Sequence, residues 1–505
     1  MREQRNRLGI LKEASIYGLG TVTAQVVSAI RGLVIAGMLG PSSYGLWKSL
    51  QVGLDYLGYT HLGVLHGMSR KIPLDRATGS DERLRITAKV GFWIAVLSSL
   101  MTGCVVVVWT WGYGSPFREL WIAIAGLLVL GQLIRYLAMR CQADGRLGVL
   151  SFAELLWAVV SFAAMYLLVP YWGVLGVLIG MGAGFATAVV VACLQGIFPA
   201  PHELFAKEKP GASFRVFREL LSTGFPFMFV DGLFVVWQRI DRLVLVFLFG
   251  AESNQLGWYG LATMVASFAI QVPQIQMRVL FRRTLHAANQ LPADGGFDPG
   301  RLRKHLEMPV MAVACTTPLL FGLGTALTWF LIRWFLPEYI QAESSVALLM
   351  LACYWSAVGI AVRNLYTAMN RQWTLAVIYS VAILATVAAI LALSRTGEGG
   401  PGAEILIGGY GMLAGSVLFG NLALWDTSRV CGLAFVERGR LLLIGWGPFA
   451  LFAIWAWVAG AWTPTEPIVP SSIPNWKDLG GDIVACLLLT GLPALIGGLR
   501  MRKHA

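Results

Sequence analysis

The sequence predicts an all-α integral membrane protein with about fourteen transmembrane helices. Three observations carry that prediction. Of 505 residues, 57% are hydrophobic and 13% are charged, about half the charged share of a soluble domain. The apolar residues fall in runs of roughly 20, the length that crosses a bilayer as a helix. Lys and Arg change side with every run.

The runs are 14–39, 43–66, 87–111, 117–138, 148–170, 172–197, 219–248, 256–281, 306–334, 342–368, 373–394, 405–427, 439–462 and 480–499. An even number places both termini on one side. Of the 39 Lys and Arg, 31 fall in the tails and in alternate breaks, and only Arg118, Arg333, Arg395 and Lys477 fall in the other breaks. Lys and Arg are retained on the cytoplasmic side, so both termini are expected in the cytoplasm. The net charge of +12 follows from this bias, and no nucleic-acid ligand is expected. The opposite breaks are short, the longest around 463–479, so no extramembrane domain is expected. The first span is too long for the apolar core of a cleaved leader.

The seven cysteines are scattered, with no CxxC pair. They are read as packing residues, with no disulfide framework, metal site or cofactor. The GMGAG run at 180–184 follows no strand, so it reads as close helix packing rather than a nucleotide loop.

Two segments resemble one another: IRGLVIAGMLGPSSYGLWKSL at 30–50 and IDRLVLVFLFGAESNQLGWYGLA at 240–262. Each has an Arg, then a Gly ending a span, a short polar break and an aromatic-Gly entry into the next span. They open spans 1–2 and 7–8, so spans 1–6 and 7–12 read as parallel halves, with spans 13–14 appended. Parallel repeats are a transporter architecture, with the substrate site between the halves.

The remaining four cations, Arg31, Lys48, Arg239 and Arg242, lie inside these same spans. A charge at the membrane centre costs about 2.5–3.5 kcal/mol on insertion scales, so such residues face protein or water. In a helical projection Tyr44, Lys48, Gln51, Asp55, Tyr59 and His66 form one polar stripe on span 2. On span 7, Asp231, Gln238 and Arg242 share a face, flanked by Arg239 and Asp241. The set reads as a wet cavity with net positive charge. The alternative is a set of structural ion pairs, Asp241 with an Arg and Asp55 with Lys48. Glu154 reads as a helix-end residue, and His61 and His66 as interfacial packing.

LGPSSYGLWKSLQVGLDYLGYTHLGVLHGMSRKIP at 39–73, GFPFMFVDGLFVVWQRIDRLVLVFLFGAESNQLGWYGLA at 224–262 and RNLYTAMNRQW at 363–373 resemble polysaccharide flippases of the multidrug/oligosaccharidyl-lipid/polysaccharide (MOP) exporter superfamily. The resemblance covers spans 1–11. It implies two six-helix lobes around a central cavity, residues 1–205 and 206–430, with 431–505 carrying the last two spans. It implies a non-enzymatic flippase in the bacterial cytoplasmic (inner) membrane. Its cargo would be an undecaprenyl-diphosphate-linked oligosaccharide for surface polysaccharide, moved by alternating access, with a polysaccharide polymerase and a chain-length regulator as partners. By that likeness Arg31, Lys48, Arg239 and Arg242 would bind the diphosphate, and Tyr44, Gln51, Asp55, Asp231, Gln238 and Asp241 would line the cavity or couple transport.

The appended spans leave open a peptidoglycan-precursor (lipid II) flippase. A drug antiporter of the same superfamily would be expected to have an acidic cavity. A membrane polymerase or glycosyltransferase would need catalytic acids or His in a large outer loop, and Glu398, Glu404, Glu466 and Asp478 form no paired motif.

Overall fold

The structure, a computed structural model, describes residues 2–112, 117–205, 211–289, 299–369, 371–395 and 403–458. Every regular element among them is helical: α1 (Arg2–Leu57), α2 (Val64–Ala77), α3 (Asp81–Gly112), α4 (Arg118–Asp144), α5 (Leu147–Leu194), α6 (Pro201–Leu204), α7 (Ala212–Phe249), α8 (Asn254–Asn289), α9 (Pro299–Phe335), a 3-10 turn (Pro337–Tyr339), α10 (Ala342–Ala368), α11 (Gln372–Arg395), α12 (Ala403–Val430) and α13 (Phe435–Val458). Ten of these are long and apolar enough to cross a membrane. The chain is an all-α membrane protein.

Two of the helices each contain two expected spans. α1 breaks at Gly40 (φ 71°), followed by Pro41, and α5 breaks at Gly173 (φ 51°), three residues after Pro170. Glycine takes the left-handed conformation without steric penalty, and proline removes an intrahelical hydrogen bond. The fourteenth expected span, 480–499, lies outside the described residues.

One expected boundary is corrected. The second span was expected to run to residue 66, but α1 ends at Leu57 and the chain turns through 58–63 before α2. Leu62 (φ 52°) and Gly63 (φ 89°) are both left-handed, which at Leu62 costs about 1–2 kcal/mol. The turn is held from α4: Gln132 Nε2 and Arg135 Nη1 both donate to Gly58 O at 2.7 Å, and the Arg135 guanidinium lies 4.8 Å from the Tyr59 ring centre. A cation at a helix C-terminus is favourable there.

The chain divides into two compact units, Met1–Leu39 with Leu46–Val235, and Gly40–Gly45 with Val236–Ala505. α7 therefore belongs to the first unit up to Val235 and to the second from Val236. In the first unit, Leu65, Met68, Ile72, Ala95 and Tyr136 form a buried cluster joining α2, α3 and α4. Leu137, Leu150, Ala153, Ala188 and Ala192 join α4 to α5.

In the second unit nearly all of α10 is buried, as expected of a helix that is apolar all round. α13 packs on α9 and α10 through aromatics: Tyr354 Oη donates to Gly445 O at 2.6 Å, Trp355 and Trp446 centre 4.9 Å apart, and Trp329 stacks on Trp455. The two repeated segments also meet in this unit. A β-carbon on Gly45 would lie 2.8 Å from Ser253 O, and one on Gly257 would run into Pro41 O.

Candidate functional site

α7 carries four of the expected site residues into one place in the second unit. Gln238, Arg239, Asp241 and Arg242 line a cavity of about 50 Å³ with Trp237, Thr263, Ser267, Cys353, Ser356 and others, room for a few waters. Trp237 anchors this stretch of helix: it is fully buried, with its ring 4.7 Å from that of Phe419. One turn on, Asp241 is held on the same side and is 1% exposed.

The carboxylate of Asp241 is only partly satisfied. Tyr259 Oη donates to Oδ2 at 2.6 Å, a short charge-assisted bond. Arg242 Nε lies 3.9 Å from Oδ1, beyond hydrogen-bond length, and Oδ1 accepts no hydrogen bond among the described residues. Arg242 is 3% exposed and donates from Nη2 to Gln238 O one turn back, at 2.9 Å. Arg239 is half-buried. One carboxylate thus shares the cavity with two guanidinium groups, and the local balance is cationic. Asp241 sits beside Arg242, as the ion-pair reading required, yet its close partner is a tyrosine.

The first unit holds the other cations on α1. Lys48 is 7% exposed and donates to Gln51 Oε1 at 3.1 Å. Asp55, one turn further, is close enough to Arg135 of α4 to interact with it electrostatically. Arg31 donates from Nη1 to Ser161 Oγ and lies 5.6 Å from the Trp157 ring centre, both on α5. Asp231 lies on the first-unit half of α7, with its Oδ2 3.3 Å from His66 Nε2. Tyr44 belongs to the second unit. It is 1% exposed, with its hydroxyl 3.4 Å from Met264 Sδ and its ring edge-on to Tyr339.

Several polar residues of this interior were given no part in the cavity from the sequence. Glu154 is not a free helix end: it accepts from Thr21 Oγ1 at 3.2 Å and joins α5 to α1. A signal for this exists, because Glu154, Trp157 and Ser161 recur at helical spacing on one face of α5, the face that meets Thr21 and Arg31 of α1. Tyr259 is the aromatic of the aromatic-Gly entry of the second repeat, but no periodicity pairs it with Asp241. Among the described residues, no three His, Cys, Asp or Glu side chains gather as metal ligands would.

Neither a family model nor a curated protein matches the sequence. Solved structures do match in fold. The chain is similar to the lipid II flippase MurJ in an inward closed conformation, with a TM-score of 0.60 and 12% identity over 97% of this chain and 99% of that one. It is similar to an inward-facing multidrug resistance MATE family transporter of the MOP superfamily, with a TM-score of 0.56 and 14% identity over 81% of this chain and 95% of that one. The Vibrio cholerae MATE transporter VcmN gives a TM-score of 0.53 and 12% identity over 83% and 95%. The chain shares the fold of these solved transporters and flippase.

Proposed function

We propose that this chain is a flippase that moves a polyprenyl-diphosphate-linked oligosaccharide across the bacterial cytoplasmic membrane by alternating access, both termini being cytoplasmic. The observation that carries the reading is the pair of buried cations in apolar helices, Lys48 at 7% and Arg242 at 3% exposure, one in each compact unit. A lipid diphosphate in an apolar passage needs charged or hydrogen-bonding partners. Arg presents a planar fork to phosphate oxygens and Lys a point charge. Arg31, in the first unit, and Arg239, in the second, extend the set. The solved transporters and flippase of similar fold support a transport role over an enzymatic one.

A lipid II flippase is the second reading. It is favoured by the match to MurJ over 97% of this chain, against 81% for the inward-facing MATE transporter. Both readings use the same lipid diphosphate, whereas a cation-exporting drug antiporter fits the cationic balance poorly.

The test is surface glycan in cells carrying Arg31→Ala, Lys48→Ala, Arg239→Ala or Arg242→Ala, at equal membrane abundance. Losing one charge-assisted contact removes about 1.5–3 kcal/mol, so export should fall roughly tenfold or more. Four variants with normal export would overturn the proposal. Loss of cell-wall synthesis with surface glycan intact would select the lipid II reading.

A further inference from the structure

A cavity that attracts an anion gains nothing from an acid, yet Asp241 stands in this one with Arg239 and Arg242. Its carboxylate repels the diphosphate that the guanidinium groups attract. The local structure shows how it is held there. The chain turns at Gly250 (φ 85°), and α8 brings Tyr259 against Asp241 of α7. The Tyr259 ring is fully buried and lies against α12. A β-carbon on Gly408 of that helix would be 2.8 Å from Tyr259 Cε2 and 2.9 Å from Cζ. With the ring seated there, the hydroxyl is fixed where it donates to Asp241 Oδ2 at 2.6 Å.

Other donors lining the cavity are committed elsewhere. Thr263 Oγ1 donates to Gly260 O at 3.0 Å, and Ser267 Oγ to Thr263 O at 2.7 Å. Ser356 Oγ donates to Ala352 O at 3.0 Å, and Cys353 Sγ to Ala266 O at 3.5 Å. Asp241 Oδ1 accepts no hydrogen bond among the described residues, and Arg242 Nε lies 3.9 Å from it. Attraction between the charges persists at that distance, but the hydrogen bond is not made. Turning the carboxylate to close the gap would break the short, charge-assisted bond from Tyr259.

A carrier needs such an intermediate state. Its site must bind strongly enough to admit the cargo and weakly enough to release it. Arg242 without an acid beside it would hold a diphosphate too firmly. Arg242 hydrogen-bonded to Asp241 would hold it poorly.

We infer that Asp241 competes with the cargo for Arg242, and that Tyr259 is the positioning residue that keeps the competition partial. The inference rests on the diphosphate reading and adds a sign to it: two neighbouring substitutions should move affinity in opposite directions. Asp241→Asn keeps an acceptor for Tyr259 and removes the charge. Tyr259→Phe keeps the ring and frees the carboxylate to reach Arg242.

The experiment measures the affinity of full-length protein in nanodiscs for a polyprenyl diphosphate and for the uncharged polyprenol. Asp241→Asn should bind the diphosphate at least about threefold tighter, and Tyr259→Phe at least about threefold more weakly, as expected of residues in contact. In the Asp241→Asn background Tyr259→Phe should change nothing further, and no variant should change polyprenol affinity. In flipping into liposomes, Asp241→Asn should lower KM and kcat together, because a firmer hold slows release.

An Asp241→Asn protein that binds the diphosphate no tighter, or flips it faster at saturating lipid, overturns the inference. So does a Tyr259→Phe protein with undiminished diphosphate affinity, a result that stands whether or not Asp241→Asn folds. A loss that extends to the polyprenol also overturns it, because damaged packing does not read charge. Wild-type protein that binds both lipids equally sinks the diphosphate reading and this inference with it. A wild-type preference for the diphosphate without the opposite shifts sinks this inference alone.

Discussion

Two helix crossings use one backbone pattern in different company. In the second unit Gly45 faces Ser253 O, and Gly257 faces Pro41 O. In the first unit Gly67 faces Leu220 O, and Gly224 faces Gly63 O. Each pairs two positions four residues apart with two others four residues apart, so the backbones touch reciprocally. Small residues at such points let membrane helices approach closely.

Around the Gly45–Gly257 crossing the neighbours among the described residues are neutral hydrogen-bond and ring contacts. Ser42 Oγ donates to Glu252 O and Trp258 Nε1 to Glu338 O, each at 2.7 Å, while Tyr44 packs on Tyr339 and Met264. Around the Gly67–Gly224 crossing the neighbours are ionic: His66 with Asp231, Arg70 over Phe227, and Glu219 held by both Lys71 and Arg83. The same steric device is thus set among neutral groups at one place and among ion pairs at the other. The neutral crossing lies at the Lys/Arg-poor break, and the ionic one lies at a Lys/Arg-rich break.

The largest effect is expected from breaking either crossing. Gly257→Val and Gly224→Val both force a side chain into partner backbone, with no flexible atom to yield. Each should cost at least about 1–3 kcal/mol, the range for overpacking, and lower both membrane abundance and the melting temperature in detergent. Gly126→Ala, a helical position with nothing within 4 Å, should be neutral or gain up to about 1 kcal/mol. Equal tolerance of all three would remove the crossings from the account.

The repeated segments and their glycines were legible in the sequence because each repeat reuses one pattern, and the structure brings Gly45 and Gly257 to one place. The breaks at Gly40 and Gly173 were legible for the same reason: Gly and Pro punctuate apolar runs. The ionic crossing was not. Projecting span 2 as one helix to His66 kept a single period through residues 58–63, where Gly58 and Gly63 bound a turn. His66 was therefore placed on the Lys48 stripe, when it sits on a separate helix facing Asp231. Gly58 and Gly63 were the available signal. Nothing in the spacing of Arg135 shows that it closes the end of α1, since a basic residue near a span end reads equally well as a loop charge.

A smaller effect sharpens the contrast between the crossings. Glu219→Gln removes a partly exposed pair of ion contacts, worth about 0.2–1 kcal/mol each. The loss of melting temperature should be present at low salt and largely gone at about 1 M, where the Debye length is about 3 Å. Tyr44→Phe, at the other crossing, loses the O–H···S contact to Met264. Its effect should be smaller still and unchanged by salt. A salt-sensitive Tyr44→Phe, or a salt-insensitive Glu219→Gln, would erase the distinction drawn between the two.

The central claim is that the buried cations exist to meet a lipid diphosphate. Its most direct test is the affinity of the purified, full-length protein in nanodiscs for a polyprenyl diphosphate and for the matching uncharged polyprenol. The account predicts that the diphosphate binds roughly tenfold tighter or more, the equivalent of one charge-assisted contact of about 1.5–3 kcal/mol, and that Lys48→Ala combined with Arg242→Ala removes the difference. Equal affinity for the two lipids in the wild-type protein, or a preference that survives loss of both cations, would contradict it.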